Sequence, residues 1–260
     1  SGEGIMIKYF ALILFAFNLG ISFTQEKKDF PRLILKFEFE DNIKGNNSIV
    51  ADSSMDKSEV KWGKIMNIEG RTVMAKDGIP WKSEHKVEGK KGYCYFFGGD
   101  KEKRYIRIPY SEEIEIDQDD FSISFWIKTI NEGGYIIIKT TTSPYWLLCL
   151  DKGKPKFLLR DAISNQTSVV HAKSSINDGN WHHVVFVANR NSDGIFYIDG
   201  KIDGKNSISL NKGGLKKEAY IGIGGYGYVT GYFEGFLDNL RIYRGALSEK
   251  DIISLFNEGT

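Results

Sequence analysis

The sequence predicts an all-β protein, a two-sheet antiparallel sandwich with a short C-terminal helix. Three observations carry this. Runs of apolar and polar alternation recur roughly every ten residues, no long helical pattern stands between them, and Gly, Pro, Asn or Asp marks the breaks. The sharpest break is Asp199-Gly200, set between Ile195-Phe196-Tyr197-Ile198 and Lys201-Ile202. A two-residue hairpin turn needs positive φ at both positions, and Asp-Gly is among the pairs that accept it most readily.

The first residues stand apart from this pattern. Ser1 to Ile5 precede a methionine and read as a cloning remnant or an upstream extension. From Met6, one lysine (Lys8) is followed by the apolar run Tyr9 to Phe17 and by small residues at Ser22 and Thr24. That order predicts a secretory signal peptide over 6–24, with a buried element of the mature fold as the alternative. The run is short for a membrane span. The expected location is therefore secreted, periplasmic or cell-surface, in a bacterium, with no membrane insertion of the mature chain. Residues 25–32 are a polar, flexible lead-in, and one domain is expected over 33–260.

Leu33 to Glu40 alternates at Leu35, Phe37 and Phe39 and predicts the first strand. Gly92 to Gly99 and Arg104 to Pro109 predict a strand pair. Phe121-Ser122-Ile123-Ser124-Phe125-Trp126-Ile127-Lys128 is apolar at every odd position and should lie across the core. Tyr135 to Lys139, Trp146 to Leu150 and Lys156 to Arg160 follow, each bounded by turn residues. Asn180 to Ala188 is broken by Asn191-Ser192-Asp193-Gly194, ahead of the Asp199-Gly200 hairpin. The chain then offers one helix. Ser248-Glu249-Lys250-Asp251 is a capping box, Leu247 and Ile252 can form a hydrophobic staple, and Ile252, Ile253, Leu255 and Phe256 give a one-sided apolar face that ends at Gly259. Its expected place is across one end of the sandwich. No internal repeat or low-complexity tract interrupts this order.

Hydrophobic residues make up 41% of the 260 and charged residues 27%, which suits a globular protein with a real core. The net charge of +1 gives no reason to expect nucleic acid or an anionic membrane as partner. Cys94 and Cys149 both lie inside apolar runs, where a small core residue is expected ahead of a disulfide.

Gly179-Asn180-Trp181-His182-His183-Val184, Phe196-Tyr197-Ile198-Asp199-Gly200-Lys201, Ala219-Tyr220-Ile221-Gly222 and Gly235-Phe236-Leu237-Asp238-Asn239-Leu240-Arg241-Ile242-Tyr243, ending in Ala246-Leu247-Ser248, carry a resemblance. In order and spacing they resemble the laminin G-like jelly roll of the concanavalin A-like lectin and glucanase superfamily. The resemblance implies a calcium held where the first strand ends and the late Gly-Phe-Leu-Asp motif meets it, which places Glu40, Asp52 and Asp238 as metal ligands. Without a metal, Asp238 would hydrogen-bond backbone. It also implies a binding module for a carbohydrate (a glycan) or a cell-surface protein. Glycan surfaces join aromatic faces to polar donors, and Tyr226, Tyr228, Trp81 and Trp146 are the carbohydrate-binding candidates.

The superfamily also holds glucanases, so a glycan-cleaving enzyme is the rival reading. A retaining glycosidase needs two carboxylates about 5 Å apart, and Glu113-Ile114-Glu115-Ile116-Asp117 is the stretch that tempts it. Its order of acids departs from the laminarinase-type motif, and a solvated connection ahead of Phe121 is expected there, so no catalytic residue is assigned. His182 and His183 are adjacent on a strand, point to opposite faces and cannot act together.

Overall fold

The computed structural model describes residues 31–37, 86–103, 105–108, 110–227 and 230–259. Glu40, Asp52, Trp81 and Tyr228, with the signal-like segment, lie outside them.

The alternating runs form fourteen described strands in two sheets, and every adjacent pair is antiparallel. In chain order these are β1 (Arg32–Phe37), β2 (Lys86–Glu88), β3 (Tyr93–Gly98), β4 (Ile106–Ile108), β5 (Phe121–Lys128), β6 (Gly134–Lys139) and β7 (Tyr145–Asp151). There follow β8 (Lys154–Arg160), β9 (Ser168–His171), β10 (Trp181–Ala188), β11 (Asp193–Ile198), β12 (Lys201–Ser207), β13 (Ile221–Ile223) and β14 (Glu234–Arg244). The larger sheet runs β12-β11-β10-β5-β14-β3-β2, with β1 also on β14; the smaller runs β4-β13-β6-β7-β8-β9. Both turn positions of the β11–β12 hairpin take positive φ, 50° at Asp199 and 77° at Gly200, as a primed turn requires.

β5 is central, as its pattern predicts. Phe121, Ile123, Phe125 and Ile127 face the other sheet with no exposure, alongside Val184 and Phe186 of β10 and Leu240 and Ile242 of β14. Rings interlock there: Phe157 stacks on Phe186 at 3.9 Å and Phe121 tilts against Trp146 at 5.8 Å.

Three expectations change. Gly92–Gly99 and Arg104–Pro109 are not a pair: β3 joins β2 and β14, whereas β4 joins β13 in the other sheet. The chain crosses between sheets through the short helix α1 (Gly99–Glu102), with left-handed Gly99 and Lys103 at its ends. The stretch before Phe121 is not a solvated connection, because Ile114 and Ile116 enter the core and draw Glu115 in with them. Finally, α2 (Glu249–Glu258) carries its capping box from Ser248 to Asp251, yet it covers a face of the larger sheet rather than an end. Its Ile252 and Leu255 pack with Leu247 on Val185, Val187, Tyr197 and Tyr243, the side chains that β10, β11 and β14 turn away from the core. Trp126 is 4% exposed and stacks on Phe256 at 5.7 Å. Gly259 ends the helix at φ −100°, so left-handed geometry is not its reason; a Cβ there would press on the Trp126 indole.

Both cysteines are free thiols, Cys94 buried in the larger sheet and Cys149 half-buried in the smaller. Burial pushes Cys94 up to about 12 and Cys149 up to about 11, so neither is a thiolate near neutral pH.

Candidate functional site

The expected site residues separate. Trp146 is a correction: it is 1% exposed, aims into the core between Phe121 and the neighbouring strands, and cannot stack on a ligand. Its place follows from register, since Trp146 pairs with Lys139 and Leu159 on the inward-facing row of β7. Tyr226 is half-buried on the outer face of the smaller sheet.

Asp238 has no exposure and sits at a bulge in β14, where Asn239 takes φ 48°. There β14 changes partners from β3 to β1. The Asp238 Oδ2 accepts the Lys90 and Lys91 backbone N–H groups at 3.0 and 3.3 Å, and its Oδ1 accepts Asn239 Nδ2 at 3.2 Å. These N–H donors tie the β2–β3 turn to the bulge through the Asp238 carboxylate, and the other two expected metal ligands, Glu40 and Asp52, lie outside the described residues. Among the described residues no group of three or more carboxylate, imidazole or thiol side chains converges as a metal site.

The outer face of the smaller sheet is built by pairing. Strand register places Gly222, Ile138, Leu147, Leu158 and Val169 in one row across β13, β6, β7, β8 and β9. Gly222, Ile138 and Leu147 are buried, Leu158 and Val169 are half-buried, and no described helix lies over the row. Half-buried Lys156 and Arg160 stand on either side, Lys156 held by Asp151 at 2.9 Å. At the β13 end Gly222 leaves room for the chain to fold back over the sheet. The turn at Gly224, with φ 79°, lays Tyr226 on Tyr220 at 4.2 Å and 11° between planes. The Tyr220 hydroxyl accepts the Gly227 N–H at 3.0 Å and fixes the turn, while Tyr105 and Tyr232 back the pair. Tyr220 was not singled out from the sequence. Its signal is its place two residues before Gly222, just ahead of β13 and on the same side of the chain by strand alternation.

The groups that could do acid–base work are held in other roles. Glu115 and Lys139 form a buried contact of 2.6 Å with Tyr110 beside the ammonium. Burial pushes the Glu115 carboxyl up and the Lys139 ammonium down, and their contact opposes both shifts. His182 and His183 do point apart. Burial disfavours the His182 cation, but contacts with Asp199 at 2.8 Å and Asp178 at 3.1 Å outweigh it and raise its pKa. His183 is 2% exposed with Nε2 at 2.9 Å from Ser124 Oγ; burial brings it down to about 4, with Arg241 adding to the shift and Asp199 opposing it.

Comparison with known proteins follows the same lines. The family model of the concanavalin A-like lectin/glucanases superfamily matches residues 100–253. Botulinum neurotoxin type X of Clostridium botulinum is 23% identical over 229 residues, 85% of this chain and 17% of the toxin. The binding domain of Paraclostridial mosquitocidal protein 1, a protein of Paraclostridium bifermentans, superposes with a TM-score of 0.61 at 18% identity, over 87% of this chain and 52% of that one. The botulinum neurotoxin serotype D ligand binding domain, solved in complex with N-acetylneuraminic acid, superposes with a TM-score of 0.58 at 16% identity, over 87% of this chain and 50% of that one. The chain therefore spans less than a fifth of the toxin relative and about half of each solved domain.

Proposed function

The chain belongs to the concanavalin A-like lectin/glucanases superfamily, and from that premise we propose that it is an exported, non-catalytic recognition module for a cell-surface partner, with a glycan as the ligand. Fold alone does not fix function in this superfamily, so the reading rests on the site. The observation that carries it is the outer face of the smaller sheet, where the half-buried Tyr220 and Tyr226 rings stand at one end and the half-buried Leu158 and Val169, with Lys156 and Arg160 beside Leu158, at the other. An aromatic face at the β13 end takes the C–H side of one sugar ring, and the ammonium and guanidinium groups on β8, three strands away, donate to hydroxyl or carboxylate oxygens of a further residue of the same glycan.

The relatives support this class of function. The similar solved domains are binding domains, and one holds N-acetylneuraminic acid; that match covers half of the solved chain, so no sugar position is carried over. The signal-like segment over 6–24 supports export. The described Asp238 accepts backbone N–H groups, and the structural calcium expected there with Glu40 and Asp52 is left to the chelator arm of the test.

A glycan array probed with the full chain, in calcium and again in chelator, tests the proposal. Binding to at least one glycan that Tyr226→Ala abolishes in both conditions supports it. Loss in chelator alone would return the metal to the mechanism through Glu40 and Asp52. No binding to any glycan would transfer the face to a protein partner.

A further inference from the structure

A second concavity lies apart from the tyrosine pair, at the end of the sandwich where the β8–β9 and β12–β13 loops meet the segment before β5. It encloses about 490 Å³, within the range of about 300–1,000 Å³ in which small-ligand sites fall. Its lining alternates two kinds of group. Ile163 and Leu210 are 81% and 68% exposed, an unusual cost for two large aliphatic side chains beside one cleft. Between them stand amides, Gln118, Asn165 and Gln166, with Lys212. The Gln118, Gln166 and Lys212 side chains make no hydrogen bond to another described residue, so their donors and acceptors face solvent.

The loops that carry these groups are fixed from beneath. Asp161 is 1% exposed and accepts the backbone N–H groups of Ile163, Ser164 and Gly213 at 3.0, 2.5 and 2.6 Å. Arg190, 2% exposed, donates to the carbonyls of Asp117, Asn211 and Gly213 at 2.9, 2.6 and 2.7 Å. One buried carboxylate and one buried guanidinium therefore bind three segments into a preformed cleft. Asp161 spends its acceptors on backbone and offers no anion to a ligand.

We propose that this cleft binds the acetamido group of an N-acetylated sugar. An acetamide has one N–H, one carbonyl and one methyl. A carboxamide side chain matches the first two because it carries donor and acceptor together, and the aliphatic Ile163 and Leu210 cover the methyl. Lys212 supplies the group that would favour an acidic member of the class, such as N-acetylneuraminic acid, over a neutral N-acetylhexosamine. The site is separate from Tyr226 and stands whether or not the tyrosine face binds a partner.

The test is a methyl-detected NMR titration of the full chain with methyl N-acetylglucosaminide, N-acetylneuraminic acid, methyl glucoside and a short peptide capped by an acetyl group. Saturable shifts of the Ile163 and Leu210 methyls with the acetamido sugars are expected. They should be at least tenfold weaker in Gln118→Ala/Gln166→Ala, which disturbs no hydrogen bond of the fold, and unchanged in Tyr226→Ala. Stronger binding of N-acetylneuraminic acid, lost in Lys212→Ala, would identify the acidic source; equal binding would identify the neutral one. No saturable shift at these methyls, equal shifts with the glucoside, or shifts with the peptide alone would overturn the proposal.

Discussion

The two sheets of the sandwich treat their outer faces in opposite ways. On the larger sheet, Val185, Val187, Tyr197 and Tyr243 lie under α2, and Trp126 is closed beneath Phe256. On the smaller sheet the row from Gly222 to Val169 has no described helix above it, and its aromatic stack of Tyr220 and Tyr226 is only half-buried. Both stacks are close and nearly parallel, 20° for Trp126–Phe256 and 11° for Tyr220–Tyr226. What differs is what covers them: one stack is closed beneath a helix, and the other, half-buried, is the one proposed to meet a ligand.

Substitutions should separate the two faces, and the largest effect belongs to the covered one. Trp126→Ala should lower unfolding free energy by about 3–5 kcal/mol in urea denaturation, while the folded fraction retains partner binding. Equal loss of binding would break the distinction.

Next in size is the pH response of the same face. His183, with a folded value of about 4 against 6.5 for the unfolded chain, is buried neutral. The unfolded state takes up its proton first as pH falls, so its contribution is intact above 6.5 and is lost on the way down to about 4, roughly 3 kcal/mol in all. The raised pKa of His182 works in the other direction, adding stability as pH falls and losing it as pH rises through that value. Urea midpoints at pH 7.5 and 4.5 for the parent and for His183→Gln check this: the substitution should flatten the slope.

Ser248→Ala removes the cap that seats α2 and should cost about 1 kcal/mol, read as a fall in thermal midpoint. Smallest of all should be the stability change in Tyr226→Ala, under about 1 kcal/mol, accompanied by at least a tenfold loss of partner affinity. A larger loss of stability than of affinity would make the tyrosine stack structural like its counterpart.

Much of this was legible in the chain. The odd-position apolar pattern of Phe121–Lys128 gave a central strand, Asp199-Gly200 a hairpin and Ser248–Asp251 a helix start, because each is decided by neighbours within a few residues. Trp146 and Tyr226 are equivalent in the sequence as aromatic residues near turns; pairing register puts Trp146 in the core, and the turn at Gly224 lays Tyr226 outside. Glu115 read as a solvated charge because its partner Lys139 is distant in sequence and itself sits in an apolar strand. The cleft beside Asp161 was hidden for the same reason: Gln118, Gln166 and Leu210 converge only when three separate loops do.

The central position of β5 also bears on how the protein is made. Its neighbours arrive late: Ser124 waits for His183, 59 residues on, and Ser122 for Gly245, 123 residues on. During synthesis the apolar edge of Phe121–Lys128 must therefore remain unpaired on both sides until β10 and then β14 leave the ribosome. Such long-range closure makes for slow folding and a period of exposure to misassociation. Nascent chains truncated before β14 should accordingly depend on chaperones far more than the finished domain does.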